Sequence, residues 1–137
     1  MLQPVVIDGI RTPIGKLNGA MKDIQPEEIA AFLLQKICER SHLDIRLLDA
    51  VILGQAKQSS DQPNIARLAA LMTKFPLEVQ AYTVHRQCGS GMQAVQNAAQ
   101  EIMCGYADFV LAGGIESMSN AQYYLREARR GYAVGNG

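Results

Sequence analysis

Near the middle of the chain, Ala50-Val51-Ile52-Leu53 runs apolar with no polar alternate and stops at Gly54. A strand of that composition has no face to give to water, so it belongs in a sheet covered on both sides. Such sheets are mainly parallel, and each parallel step needs a crossover, usually a helix. The remaining sequence supplies three more strand-like runs and three helical patterns in alternation. Residues 4–10 read as a buried strand rich in Val and Ile, residues 48–54 as the second, 78–87 as the third and 106–112 as the fourth. The order strand, helix, strand, helix, strand, helix, strand is that of a parallel α/β fold.

The first helix is expected from Pro26, which suits a first turn, with Glu27 and Glu28 at its positive end and an apolar stripe of Ile29, Phe32, Leu33 and Ile37. Cys38 lies beside that stripe as a packed thiol, and His42 just beyond it as a surface residue. A second helix is expected over residues 64–74, with Ile65, Leu68, Ala69 and Met72 as its apolar side and Met72 as core filler. The third follows Cys88 and carries Ala94, Val95, Ala98, Ala99 and Ile102, several of them small enough for close packing. Arg11 and Lys16 read as solvated loop charges without a role.

Length and composition narrow the functional classes. The 137 residues suffice for one domain with a core. Thirteen Lys plus Arg balance thirteen Asp plus Glu, so no global charge points to nucleic acid or to an anionic membrane surface. No apolar run approaches a membrane span, and the start of the chain shows no signal-like segment, so the expectation is a cytoplasmic protein. The three cysteines, Cys38, Cys88 and Cys104, form no C-x-x-C pair. They argue against a disulfide framework or a zinc site, and no metal is expected. A G-G pair follows the fourth strand at Gly113-Gly114, yet neither G-x-x-x-x-G-K-[ST] nor G-x-G-x-x-G occurs, so nucleotide hydrolysis is not supported.

Chemistry concentrates in Val84-His85-Arg86-Gln87-Cys88-Gly89-Ser90-Gly91-Met92-Gln93-Ala94-Val95. A strand runs there into a cysteine, two glycines and a helix, the layout of a nucleophile elbow, although C-G-S-G does not fit G-x-S-x-G. A thiolate gains from the unpaired N–H groups and positive dipole of a helix N-terminus. On the residues alone, Cys88 reads equally as a nucleophile and as an inert thiol in a strand–helix corner. Ser90 is a poor second candidate. Glu116 reads as a hydrogen-bonded structural carboxylate more readily than as a general base. His85 stands three residues before Cys88, on the opposite face of a continuing strand, and is badly placed to deprotonate it. Cys88 and Gly113-Gly114 both fall at the C-terminal ends of parallel strands, where α/β sheets place ligands.

The segment around Cys88 resembles the one around the acyl-accepting cysteine of the thiolases. Three further motifs agree in order and spacing: Asp8-Gly9-Ile10-Arg11-Thr12-Pro13-Ile14-Gly15-Lys16, Gln62-Pro63-Asn64-Ile65-Ala66-Arg67 and Ala112-Gly113-Gly114-Ile115-Glu116-Ser117-Met118-Ser119. His85 departs from the asparagine that many thiolases carry there. The condensing enzymes of fatty-acid synthesis share the elbow, but the R-Q-C-G-S-G and G-G-I-E-S-M-S wording favours thiolase.

The resemblance implies the first βαβαβαβ half-domain of a duplicated fold over residues 1–119, without the family's fifth strand or its C-terminal half. Residues 120–137 would begin the inserted loop region and be poorly ordered. It also implies reversible Claisen chemistry on coenzyme A thioesters, with Cys88 as catalytic residue, acyl-CoA as substrate and no covalently bound cofactor. The family's other catalytic groups lie in G-H-P, N-E-A-F and C-x-G motifs, none of which occurs in these 137 residues. Cys104 does not match the second cysteine. The implied partners are a second copy, paired through the strand at residues 78–84 from Glu78 to Val84, or a chain supplying the missing half. A non-catalytic acyl-binding or assembly subunit is the alternative.

Overall fold

A computed structural model describes residues 2–131. Its elements are α1 (Pro26–Ser41), β1 (Ala50–Gly54), α2 (Ile65–Leu71), β2 (Gln80–Val84), α3 (Ser90–Cys104) and β3 (Val110–Gly114), with short 3-10 turns at Ile45–Leu47, Met118–Asn120 and Ala128–Arg130. The sheet order is β2-β1-β3 and both pairings are parallel. The apolar run that opened the reading is the central strand, and all five of its residues are buried. Helices α1 and α2 cover one face and α3 the other, so the expected α/β architecture stands.

The expected strand over residues 4–10 is not formed. That segment carries no regular structure, and Val5, Val6 and Ile7 are 73%, 86% and 71% exposed. A β-prone composition makes a strand only where a neighbour completes its hydrogen-bond ladder. Here the segment is tied instead to the end of α1, where Arg40 Nε donates to Asp8 at 2.9 Å and its guanidinium also reaches the Gly9 carbonyl at 3.1 Å. The described residues therefore hold three of the four expected strands.

Two other boundaries moved for local reasons. The last strand begins at Val110 rather than 106, because the Asp49 carboxylate accepts from the N–H groups of Asp108 and Phe109 at 2.7 and 3.0 Å. Those bonds hold the approach to β3 in a turn, and Tyr106 projects into solvent. Helix α2 stops at Leu71, leaving Met72 exposed rather than packed as filler. At its start, Asn64 Oδ1 caps the N–H of Arg67 at 3.1 Å.

Helix α1 begins at Pro26 as expected, and Glu28 reaches back to accept from the N–H of Gln25 at 2.8 Å. Its buried side is Ile29, Ala30, Ala31, Leu34 and Cys38, whereas Phe32 is exposed. Of the expected stripe, Ile29 is buried and Ile37 packs against the core, while Phe32 faces solvent. The contact with α2 is made by small residues, Ala30 and Ala31 sharing a cluster with Ala66, Ala69 and Ala70.

Candidate active site

At the C-terminal edge of the sheet, β2 ends at Val84 and the chain reaches α3 through a tight turn. Gly89 N donates to the Arg86 carbonyl and Ser90 N to the Gln87 carbonyl, each at 3.0 Å. Gln87 takes a left-handed φ of 49° to make this possible, a conformation uncommon for a residue with a Cβ. Cys88 follows it and is exposed, one residue before the N-cap of α3 at Gly89. The thiol is therefore open to a substrate from solvent, beside the first turn of a helix.

What brings that helix end to the sheet edge is a pair of glycines on neighbouring strands. A Cβ on Gly54 would stand 2.2 Å from the carbonyl carbon of Ser90 and 2.4 Å from Gly91 N, and one on Gly114 would stand 3.1 Å from the Gly91 Cα. The first turn of α3 thus rests directly on the ends of β1 and β3. The glycines expected to shape the turn are Gly89 and Gly91, yet the closest backbone approach is at Gly54, the exit of β1. A glycine closing a strand, with a cysteine followed by two glycines at the end of the next strand, is the available signal.

Glu116 has the structural role expected of it. Its carboxylate accepts from Ala56 N at 2.8 Å and from Lys57 N at 3.2 Å, so it clasps the segment after β1 to the segment after β3. His85 is exposed directly after β2, and among the described residues no hydrogen bond joins it to Cys88. Ser90 is not a free nucleophile: its side chain is 4% exposed, accepts from Arg86 N at 2.8 Å and donates to the Gln87 carbonyl at 2.6 Å. The sequence reading missed this use of the hydroxyl.

From the elbow a polar row descends α3 along the outer side of β2. Arg86 bonds Gln93, Gln93 Nε2 donates to Asn97 at 2.8 Å, Asn97 to the Tyr82 hydroxyl at 3.4 Å, and Tyr82 to Glu101 at 2.8 Å. Burial, reinforced by the Glu101 bond, raises the Tyr82 phenol above its ordinary value. Cys38 is buried and its thiol is pushed up by desolvation, as a packed cysteine should be. Cys104 closes the far end of α3, roughly 20 Å from Cys88 at about 1.5 Å of rise per residue, and cannot act on the same group.

Two surface cavities, about 780 and 570 Å³, lie elsewhere: one at the opening ends of β1 and β2 beside Glu101 and Tyr106, the other between the end of α1 and Phe75. Neither includes Cys88. Among the described residues no group of His, Cys, Asp and Glu is placed to hold a metal ion, and no helix is long and apolar enough to cross a membrane.

Residues 4–137 match the family model described as "Thiolase, N-terminal domain". A probable acetyl-CoA acyltransferase of Staphylococcus epidermidis is 40% identical over 136 residues, covering 99% of this chain and 34% of that protein. The 3-oxoadipyl-CoA/3-oxo-5,6-dehydrosuberyl-CoA thiolase of Escherichia coli is 39% identical over 135 residues, again 34% of its length. The crystal structure of the Bacillus anthracis acetyl-CoA acetyltransferase superposes with a TM-score of 0.88 at 43% identity, covering 92% of this chain and 32% of that one. The chain therefore spans about a third of the length of the curated relatives it matches. With its fold, its elbow and its sequence in agreement, it belongs to the thiolase family and corresponds to the family's N-terminal domain.

Proposed function

We propose that Cys88 is the acyl-accepting nucleophile of a thiolase-type transfer between coenzyme A thioesters. The observation that carries the reading is the exposed thiol in a left-handed turn at the N-terminus of α3, seated on the carboxyl edge of a parallel sheet. The Cys88 thiolate attacks the thioester carbonyl. A bond forms from Sγ to carbon, negative charge moves to the carbonyl oxygen, and collapse expels the coenzyme A thiolate, which takes up a proton. The acyl group then passes to a coenzyme A thiol or to the carbanion of a second acyl-CoA.

Proton transfer to and from these sulfurs needs groups that Cys88 does not meet among the described residues. Each such group, like each oxyanion donor, is worth orders of magnitude, about 10²–10³ in rate for one donor. These 137 residues by themselves are thus expected to be a poor catalyst. A second copy is expected to pair along β2, which is an edge strand, and the groups that complete the site are expected from further polypeptide, of the same protein or of a partner chain, covering the outer edge of β3, which has no neighbour among the described residues. Residues 120–137 would open the family's loop region. Gln122 and Tyr124 are bonded to the segment around Asp61, and residues 132–137 lie outside the described residues. Three free thiols suit a reducing compartment, in keeping with the cytoplasm.

The test is incubation of the purified chain, beside Cys88→Ala, with acetyl-CoA followed by intact-mass analysis, and separately the consumption of acetoacetyl-CoA with free coenzyme A. The expected result is an acetyl group on Cys88 from acetyl-CoA, with little or no turnover of acetoacetyl-CoA. Turnover that depends on Cys88 would overturn the need for further groups. No acetyl on Cys88 would favour a non-catalytic assembly subunit.

A further inference from the structure

We infer that the Ser90 hydroxyl is a positioning group: it holds the peptide plane between Gln87 and Cys88 so that the Cys88 N–H is presented to the carbonyl oxygen of a bound thioester. The inference rests on the reading of Cys88 as acyl acceptor. Ser90 is buried at the first position of α3, where a hydroxyl must find partners inside the protein. Both of its bonds go to the turn that carries the cysteine. It accepts from Arg86 N at 2.8 Å and donates to the Gln87 carbonyl at 2.6 Å, and that same carbonyl takes Ser90 N at 3.0 Å. One residue thereby occupies the Gln87 oxygen twice.

The Gln87 carbonyl and the Cys88 N–H belong to one planar unit. No cis peptide occurs among the described residues, so the two groups point in opposite directions. Fixing the oxygen toward Ser90 fixes the hydrogen away from it. Gln87 also sits at a left-handed φ of 49°, and such a backbone persists only where its surroundings over-determine it. The buried hydroxyl is a constraint of that kind. Without it, the plane is free to rotate about Gln87 ψ and Cys88 φ, which turns the Cys88 N–H out of register while the thiol itself remains exposed.

The test compares Ser90→Ala, Ser90→Thr and Ser90→Val in the full chain. Thr keeps the hydroxyl, and Val has the shape of Thr without it, so the second pair reads the hydroxyl even if Ala fails to fold. Two rates at Cys88 are measured by mass. Alkylation by iodoacetamide develops no oxyanion, whereas acetylation by acetyl-CoA, through attack on its thioester carbonyl, does. The Ala and Val variants are expected to lose about tenfold or more in acetylation, set against the larger loss usual when an oxyanion donor is removed outright. Their alkylation should change by less than about threefold, since thiolate formation is left in place, and Thr should recover acetylation. Backbone NMR shifts of Gln87 and Cys88 should move in Ala and Val and stay in Thr. Unmoved shifts, or acetylation and alkylation falling together, would overturn the inference and leave Ser90 a purely structural residue. If unsubstituted Cys88 takes no acetyl group, the acyl-acceptor reading fails and with it the catalytic purpose assigned to Ser90. The shifts then report separately whether the hydroxyl sets the turn.

Discussion

Under α1 and α2, thirteen buried residues from Ala30 to Val79 form one cluster, while the face under α3 holds a cluster of three, Ile52, Ala94 and Ala98. The first face is held along the flanks of two helices. The second packs the flank of α3 through the small residues Ala94 and Ala98, and in addition seats the first turn of α3 on Gly54 and Gly114, while the outward residues Met92 and Val95 are exposed. Small residues bury less apolar surface, but the close seat at the end fixes the position of that end. Cys88 stands there. The larger core and the proposed site are thus divided between the two sides of one sheet, and the division can be tested by damaging each side separately.

The largest loss of stability is expected on the thick side. Ile65 is fully buried at the start of α2, and Ile65→Ala should cost about 2–5 kcal/mol in a urea titration, as lost transfer energy plus a cavity. In native buffer the alkylation rate of Cys88 should stay near that of the unsubstituted chain. If that rate changes as much as the stability does, the two faces are not separable. On the thin side, Gly54→Ala places a Cβ into the backbone of Ser90 and Gly91, and overpacking of that kind typically costs about 1–3 kcal/mol. The smaller penalty should carry the larger change at Cys88, because α3 must lift from its seat. An unchanged Cys88 rate in folded Gly54→Ala would show that the seat does not position the thiol.

This division also explains what could be read from the residues. The central strand was legible because an unbroken apolar run such as Ala50 to Leu53 has few other uses, and the elbow because Cys88 lies between a strand and a helix and is followed by Gly89 and Gly91. The part of α1 that meets α2 was not, since Ala30 and Ala31 make the contact that Phe32 and Leu33 seemed to offer. Nor was the fate of Val5 to Ile7: composition reports readiness to pair, while pairing depends on a neighbouring strand that no local pattern specifies. At the site, the turn that carries Cys88 was legible at the strand–helix junction, but the means of holding it was not. The hydroxyl of Ser90 and the hydrogen of the Gly54 Cα act through a turn whose left-handed residue, Gln87, has no special signature in a sequence.

The smallest effect is expected farthest down α3, where the polar row ends at Tyr82 and Glu101. Tyr82→Phe removes one hydrogen bond and should cost about 0.5–1.5 kcal/mol near neutral pH. Its pH dependence is the sharper reading. The phenol's pKa is raised in the folded protein, first by burial and then by the Glu101 bond, so the proton is held more tightly folded than unfolded. That contribution is fully present below the ordinary tyrosine value of about 10 and is lost as pH rises through the raised folded value. The stability difference between the unsubstituted chain and Tyr82→Phe should therefore stay constant from neutral pH to about 9 and shrink above about 10. Parallel curves into the alkaline range would mean that the phenol titrates freely, and that the row on the thin side ends at Asn97 instead of running the length of the helix.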